Sequence, residues 1–269
     1  MTGFHPDWLA LREPYDHAAR DDRLAVRLCD WLAAGSRTQI TDLGCGTGSN
    51  LRYLGPRLPQ TLAWRLVDHD DGLLTALARS EGFDVRRHET VLHDLTDLDG
   101  LPFDGSDAVV ASALMDLVSE AWFAGLAARC SEAGAALLFA LNYSGRMDWL
   151  PELPDDRWIE AQFNAHQRGT KQFGPAMGPD APEIMSGVLR SLDYEVSTAQ
   201  TPWIFGPRDL EIQAELIRGI AGACLELAPR EAHRTTNWSN RRAQLVADGR
   251  SGLSVGHGDL LALPPGTRG

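Results

Sequence analysis

The sequence predicts an α/β protein with a doubly wound, mostly parallel seven-stranded sheet, helices on both faces of the sheet and an inserted helical cap. Two observations lead to this fold class. Up to residue 141, short apolar runs alternate with amphipathic stretches, and repeated β-then-α units imply parallel strands with helices on both sides. After residue 142, aromatic residues are interleaved with prolines and glycines, which is typical of an insertion.

The period of the apolar residues predicts the individual elements. Asp21–Ala34 carries them at helical spacing, and Ala135–Leu141 is a nearly continuous apolar run, typical of a strand buried on both faces. Val85–His88 is a weaker strand pattern, and Pro202 interrupts that of Tyr194–Phe205. The predicted strands are Thr38–Leu43, Leu62–Asp68, Val85–His88, Asp107–Ala113, Ala135–Leu141, Tyr194–Phe205 and Leu253–Leu263, and the predicted helices are Asp21–Ala34, Ser49–Leu54, Asp71–Ser80, Ser119–Cys130, Pro182–Leu192, Asp209–Leu227 and Arg230–Ala247.

The composition limits the classes of function. The formal net charge is −12 and no basic block marks a track for phosphate backbones, so nucleic acid is not an expected partner. The chain lacks the pattern of a signal peptide and any apolar run long enough for a membrane, so we expect a cytoplasmic protein. A monomer or a homodimer is expected. The four cysteines are widely spaced without a C-x-x-C pair, which predicts neither a metal site nor a disulfide framework.

A glycine-rich loop follows the first predicted strand. In the string Asp42-Leu43-Gly44-Cys45-Gly46-Thr47-Gly48, a strand passes into a helix through glycines, where the backbone can approach a ligand and helix amides face its polar end. The glycine spacing departs from the G-x-G-x-x-G pattern of dehydrogenases. The string resembles motif I of the class I S-adenosylmethionine-dependent methyltransferases, and the order of predicted elements up to residue 141 agrees with that family.

The resemblance implies a Rossmann-like fold that binds S-adenosylmethionine at this loop. Asp42, Gly44 and Gly46 would surround the methionine portion of the cofactor, with Cys45 between them. Asp68, at the tip of the second predicted strand, matches the ribose-binding position of the family. A carboxylate there can accept hydrogen bonds from both ribose hydroxyls.

Further cofactor contacts are expected around the adenine, the sulfonium and the carboxylate of S-adenosylmethionine. The resemblance assigns Asp94 to the adenine amino group and Leu95 to the adenine ring, while His69 is either an adenine neighbour or a surface residue. Ser112 ends the fourth predicted strand, where the family has its sulfonium site, although plain strand-end packing is an equal alternative. Arg12 has the planar fork that pairs with a carboxylate, and a surface helix with ordinary salt bridges is the alternative there.

The methyl acceptor is expected beyond the carboxyl ends of the strands, where ligands of open α/β sheets lie. Asp116, Asn142 and Tyr143 follow the fourth and fifth predicted strands and are candidate acceptor contacts. In the cap, Lys171 is a candidate for binding an anionic acceptor, with a solvated charge as the alternative. His166 is a candidate acceptor contact and the candidate general base, because histidine takes up a proton near neutral pH, and a local hydrogen bond is its alternative role.

Four consecutive regions are expected. Residues 1–37 form an N-terminal helical segment over the cofactor site, and residues 38–142 form the Rossmann-like cofactor-binding core. Residues 143–250 form the cap and substrate region with the remaining core elements, and residues 251–269 form the terminal strand and tail. Trp203 and Trp238 are expected to close the cap or to pack in its core, and His257 is expected to be a structural histidine.

Together these features predict an enzyme that methylates an oxygen or nitrogen atom of a small molecule. The alternatives are a non-catalytic S-adenosylmethionine-binding module, a methyltransferase acting on a protein, and a nicotinamide-dependent reductase. Ala111–Asp116 differs from the N/D-P-P-Y/F string of amino-directed nucleic-acid methyltransferases, and the Pro-Cys dipeptide of cytosine C5 enzymes does not occur. Base modification is therefore not expected.

Overall fold

The structure is a computed structural model that describes residues 5–59, 61–80, 84 and 86–266. Over these residues two helices come first, and strands then alternate with helices as far as the fifth strand, except that the fourth strand follows the third directly. A mainly helical segment precedes the last strand. The helices are α1 Pro6–Ala19, α2 Asp22–Ala33, α3 Ser49–Leu54, α4 Asp71–Ala78, α5 Glu120–Ala133, α6 Asp156–Gln167, α7 Ala181–Ser191, α8 Leu210–Leu227 and α9 Ala232–Ala247. The strands are β1 Gln39–Leu43, β2 Ala63–Asp68, β3 His88–Leu92, β4 Ala108–Ser112, β5 Ala136–Leu150, β6 Thr170–Lys171, β7 Gly174–Pro175, β8 Glu195–Gln200, β9 Trp203–Phe205 and β10 Gly252–Leu263.

The main sheet confirms the predicted doubly wound, mostly parallel arrangement. Its order is β3-β2-β1-β4-β5-β10-β8, with the strands from β3 to β5 parallel and β10 antiparallel to both β5 and β8. The strand order reverses between the parallel neighbours β1 and β4, which creates a crevice at the carboxyl ends of the strands. Within the described residues the sheet has eight strands and not the predicted seven. The predicted strand Tyr194–Phe205 is interrupted at Pro202, and its second part, β9, pairs separately with β10.

The third strand begins later than the sequence predicts. The prediction was Val85–His88, whereas β3 begins at His88 and runs to Leu92 in register with β2; Val85 lies outside the described residues. The strand occupies an edge of the sheet, and Glu89 and Leu92 are exposed. An edge strand needs little apolar surface, so its sequence carries a weak signal.

The fifth strand extends nine residues beyond its predicted end at Leu141. Its continuation to Leu150 pairs antiparallel with β10, with register shifts between Val255 and His257 and between Gly258 and Leu260. Residues 142–150, which the sequence assigns almost entirely to the cap, therefore belong to the sheet. Pairing with a strand more than a hundred residues away stabilises this segment despite its mixed local composition.

Three apolar clusters make up the core. Helices α5 and α7 cover one face of the sheet and α2, α3 and α4 the other, which confirms helices on both faces. The third cluster lies in the cap and combines α6, α8 and α9 with the extensions of β5 and β10 and with β9. Trp8, Leu11 and Tyr15 of α1 pack against this cap cluster, so the N-terminal helix contacts the cap.

Among the described residues, no helix combines the length and apolarity needed to cross a bilayer. No group of three or more His, Cys, Asp or Glu side chains in the same part of the chain is arranged to hold a metal ion.

Candidate active site

A cavity opens at the carboxyl ends of β1, β2 and β4, beside the point where the strand order reverses. Its walls come from α1, the loop after β1, the tips of β2 and β4, the segment after β3 and the hairpin of β6 and β7. Ten of the predicted site residues line it: Arg12, Gly44, Cys45, Gly46, Asp68, His69, Asp94, Leu95, Ser112 and Lys171.

The loop between β1 and α3 needs glycine at three positions. Gly44, Gly46 and Gly48 have φ angles of +63°, +53° and +89°, in the left-handed region that other residues rarely adopt. The amide of Cys45 donates a hydrogen bond to the carbonyl of Val67 at 3.0 Å, which joins the loop to β2. The glycines thus hold a tight turn whose backbone faces the cavity.

Replacing Gly48 with alanine is expected to destabilise the protein by about 2–4 kcal/mol, because strain at positive φ adds to overpacking. A Cβ atom at this position would lie 2.3 Å from Cδ1 of Leu77. Gly105→Ala is the matched control, since Gly105 has a φ of +77° but no atom within 4 Å of its Cβ position. Urea denaturation measures the free energy of unfolding of both variants. The difference between their losses reports the clash with Leu77, and equal losses would show that the clash has no effect.

Asp68 projects from the tip of β2 into the cavity. One carboxylate oxygen accepts the Gly46 N–H at 2.8 Å and the other accepts the Asp70 N–H at 3.0 Å. Each oxygen retains a lone pair, so the carboxylate can still accept two ligand hydroxyls. His69 is next to it, half-exposed, with Nδ1 3.4 Å from Oδ1 of Asp68.

The segment after β3 supplies another wall of the cavity. Oδ1 of Asp94 accepts the amide and the hydroxyl of Thr96 at 2.9 and 2.8 Å, and these bonds lower the pKa of Asp94. Leu95 is buried, and its carbonyl accepts the indole N–H of Trp122 at 2.8 Å. Ser112 reaches the cavity from the end of β4. The structure therefore brings all three candidates to the cavity beside Asp68.

Asp42 does not line the cavity, which differs from the prediction. Its side chain is fully buried, and Oδ1 accepts the amide group of Asn50 at 2.8 Å. Asn50 lines the cavity and accepts Nη1 of Arg20 at 2.6 Å. Burial raises the pKa of Asp42 to about 7. Asp42 thus reaches the cavity only indirectly, through its hydrogen bond with Asn50. The sequence analysis missed Asn50.

Helix α1 forms the cavity wall nearest the cap. Nε of Arg12 donates to Asp16 at 2.8 Å, and the other carboxylate oxygen of Asp16 accepts Nε1 of Trp203 at 3.0 Å. The terminal guanidinium nitrogens of Arg12 have no hydrogen-bond partner among the described residues. Leu9 packs over the glycine loop, with Cδ1 3.3 Å from the Cβ position of Gly46. Arg12 therefore offers an unused pair of donors at the cavity.

The predicted acceptor contacts Asn142 and Tyr143 lie outside the cavity lining, as does Asp116 in the turn after β4. The amide nitrogen of Asn142 donates to the carbonyls of Phe139 and Gly258, each at 3.1 Å. The phenol of Tyr143 donates to Oδ1 of Asn164 at 2.8 Å. The prediction placed both residues at a strand end, but β5 continues past them, so their side chains serve the packing of the sheet and cap.

His166 also lies outside the cavity lining. Its Nε2 is 3.1 Å from a carboxylate oxygen of Glu226, which joins α6 to α8. A hydrogen bond to a neighbouring helix, rather than the local bond given as the alternative, therefore accounts for His166 better than a role as general base. His257 is buried with its ring 4.5 Å from that of Trp203, and burial lowers its pKa to about 3, as suits a neutral structural histidine. Trp238 lies in the cap core.

No family model matches the sequence, and neither does any curated protein. A cyclopropane-fatty-acyl-phospholipid synthase-like protein from Lactobacillus casei is similar in structure, with a TM-score of 0.57 at 14% identity over 97% of this chain and 95% of its own. A cyclopropane synthase from Mycobacterium tuberculosis is also similar, with a TM-score of 0.51 at 15% identity over 96% of this chain and 94% of its own. The chain spans 52% of phosphoethanolamine N-methyltransferase 2 from Haemonchus contortus, with 14% identity, a TM-score of 0.47 and 91% of this chain covered.

The strand order and the first two likenesses agree on the architecture. The chain has the Rossmann-like fold of the class I S-adenosylmethionine-dependent methyltransferases. On this methyltransferase fold, several lining residues that the sequence analysis missed, besides Asn50, come from the two elements that cover the cavity: Leu9 and Glu13 of α1, and Gln172 and Phe173 of the β6–β7 hairpin. No motif marks them, because they meet the glycine loop only in the folded chain.

Proposed function

We propose that this chain is a methyltransferase that uses S-adenosylmethionine to methylate an oxygen or nitrogen atom of a small molecule. The observation that carries the proposal is one cavity at the switch point, in which the glycine loop, Asp68 and the Asp94–Leu95 pair converge. Ligands of open α/β sheets bind at this place in the fold.

The residues around the cavity fit S-adenosylmethionine. Asp68 would accept the ribose hydroxyls, and Asp94 and Leu95 would hold the adenine amino group and ring. Arg12 would pair with the carboxylate of the cofactor through its unpartnered terminal nitrogens. When bound, S-adenosylmethionine supplies a methyl group on a positively charged sulfur. The protein has to orient the acceptor and exclude water at that methyl group.

The covering elements favour a small acceptor. Helix α1 closes the cavity on one side and the β6–β7 hairpin on the other, and the edge-to-face contact of Phe173 with Trp122, with ring centroids 5.3 Å apart, fixes the hairpin. A small molecule fits between these elements more readily than a folded protein surface does. Acidic residues also outnumber basic ones, 37 to 25, which disfavours a nucleic-acid acceptor.

Purified protein with S-adenosylmethionine labelled with tritium in its methyl group is expected to label a component of a metabolite extract. Label in the acid-soluble fraction supports a small-molecule acceptor, whereas label only in acid-precipitated protein would indicate a protein acceptor. A cofactor-binding module without chemistry would transfer no label. Asp68→Ala protein, purified in the same way, is the control for contaminating enzymes.

A further inference from the structure

Lys171 is the only lysine among the 25 Lys and Arg residues of the chain. It lies in β6, and its half-buried side chain lines the cavity. Among the described residues, no side chain or carbonyl hydrogen-bonds its ammonium group or forms an ion pair with it. Burial lowers the pKa of Lys171, while Glu226 and Asp116 raise it through their charges. The cavity therefore contains a cation without a close partner.

Asp116 lies in the turn after β4, beside the cavity but not in its lining. Leu114 and Leu117 on either side of it line the cavity, and Asp116 itself is 8% exposed. One of its carboxylate oxygens is buried and has no hydrogen-bond partner among the described residues. An unpaired buried carboxylate is unfavourable unless a ligand or a proton compensates it.

Several groups act electrostatically on the Asp116 carboxylate. Burial raises its pKa to about 6, against the opposing effects of its own backbone N–H, the Tyr143 N–H and the cations Arg12 and Lys171. Burial raises the pKa of the Tyr143 phenol, and the charges of Glu160 and Asp116 raise it further. The charges of Lys171 and Asp116 each affect the pKa of the other group, but the ammonium nitrogen and the carboxylate oxygens form no ion pair within 4.0 Å. The two charges therefore interact electrostatically without forming an ion pair, and Lys171 lines the cavity with its ammonium group unpaired.

We propose that the methyl acceptor is an anion whose carboxylate or phosphate binds to Lys171 and whose reacting O–H or N–H group faces Asp116. This inference rests on the proposed methyltransferase function. In the transfer, a lone pair of the acceptor atom forms the new bond to the methyl carbon, and the carbon–sulfur bond breaks with its electron pair moving to sulfur. The acceptor proton passes to the carboxylate of Asp116, so charge and atoms balance.

The class of acceptor is tested by dividing a metabolite extract on ion exchangers at pH 7 into anionic, neutral and cationic fractions. Each fraction is incubated with the protein and tritium-labelled S-adenosylmethionine, and we expect label in the anionic fraction. Label only in the other two fractions would leave methyl transfer standing and overturn this inference. No label in any fraction would contradict the proposed function itself. Phosphatase treatment of the anionic fraction then separates phosphate from carboxylate acceptors.

Lys171→Met is expected to raise KM for the labelled anion at least 10-fold, because a charge-assisted hydrogen bond is lost. Affinity for S-adenosylhomocysteine should stay within about twofold, which also shows that the variant is folded. Arg168→Met is the matched control: it removes a cation three residues away that pairs with Asp180 at 2.7 Å outside the cavity. Equal KM values for Lys171→Met and the original protein would overturn the assignment.

Asp116→Asn tests the proton acceptor. In the original protein kcat should fall as the pH falls through about 6, because the carboxylate becomes protonated and cannot accept a proton. The variant should lose roughly 100-fold in kcat and should also lose this pH dependence. A variant that keeps the same fall in kcat near pH 6 would overturn the role of Asp116, even if its overall rate is reduced.

Discussion

Replacing Arg242 with alanine is expected to lower the free energy of unfolding by about 3–5 kcal/mol, because it removes one partner of a buried ion pair. Arg242 is fully buried in α9 and donates to both carboxylate oxygens of Asp156 and to the carbonyl of Pro151. Trp238 and the amide of Leu153 complete the bonds of Asp156, at 2.8 and 2.6 Å. Without the guanidinium, Asp156 would remain in the cap core as an uncompensated charge.

Chemical denaturation followed by tryptophan fluorescence measures this loss. Arg241→Ala is the matched control, because Arg241 is exposed on the same turn of α9, and its removal should change the unfolding free energy by about 0.5 kcal/mol at most. If the two variants were equally stable, the ion pair with Asp156 would not hold the cap together.

Asp68→Ala is expected to weaken the binding of S-adenosylmethionine and S-adenosylhomocysteine about 10- to 100-fold, because the proposed ribose contacts are charge-assisted hydrogen bonds. The substitution also removes the acceptor for the Gly46 amide, which helps to hold the glycine loop in place. Asp68→Asn keeps one carbonyl oxygen at the site, so its loss of affinity should be smaller.

Isothermal titration calorimetry of S-adenosylhomocysteine measures these affinities. Asp71→Ala is the control, since Asp71 is exposed in the first turn of α4 and does not line the cavity. Unchanged affinity in Asp68→Ala would refute the ribose assignment, provided that the thermal unfolding of the variant shows an intact fold.

The central fold and the cofactor side of the cavity could largely be predicted from the sequence. Buried parallel strands have continuous apolar runs, and the loop glycines are needed wherever the backbone takes positive φ, so both leave a local signal. The edge strand β3 left only a weak signal, because an edge strand needs few apolar residues. The extension of β5 left none, because it depends on pairing with β10.

The acceptor side was harder to predict for the same physical reason. Asn142 and Tyr143 were placed at a strand end because the apolar run stops at Leu141, yet tertiary pairing continues the strand past them. His166 was selected for its titration range, although only the packing of α6 against α8 determines its partner. Asn50 stands between Asp42 and the cavity, a relation that depends on the folded side chains.

The contacts of α1 have a consequence for how two ligands would bind. One side of this helix, with Trp8 and Tyr15, belongs to the cap core, while Leu9 lies on the glycine loop and Glu13 forms an ion pair with Arg52 of α3 at 2.5 Å. If α1 moved to admit one substrate, the wall of the cavity that contacts the other substrate would therefore move as well. We therefore expect the two binding equilibria to be coupled, and any factor by which one substrate changes the affinity for the other would apply equally in reverse.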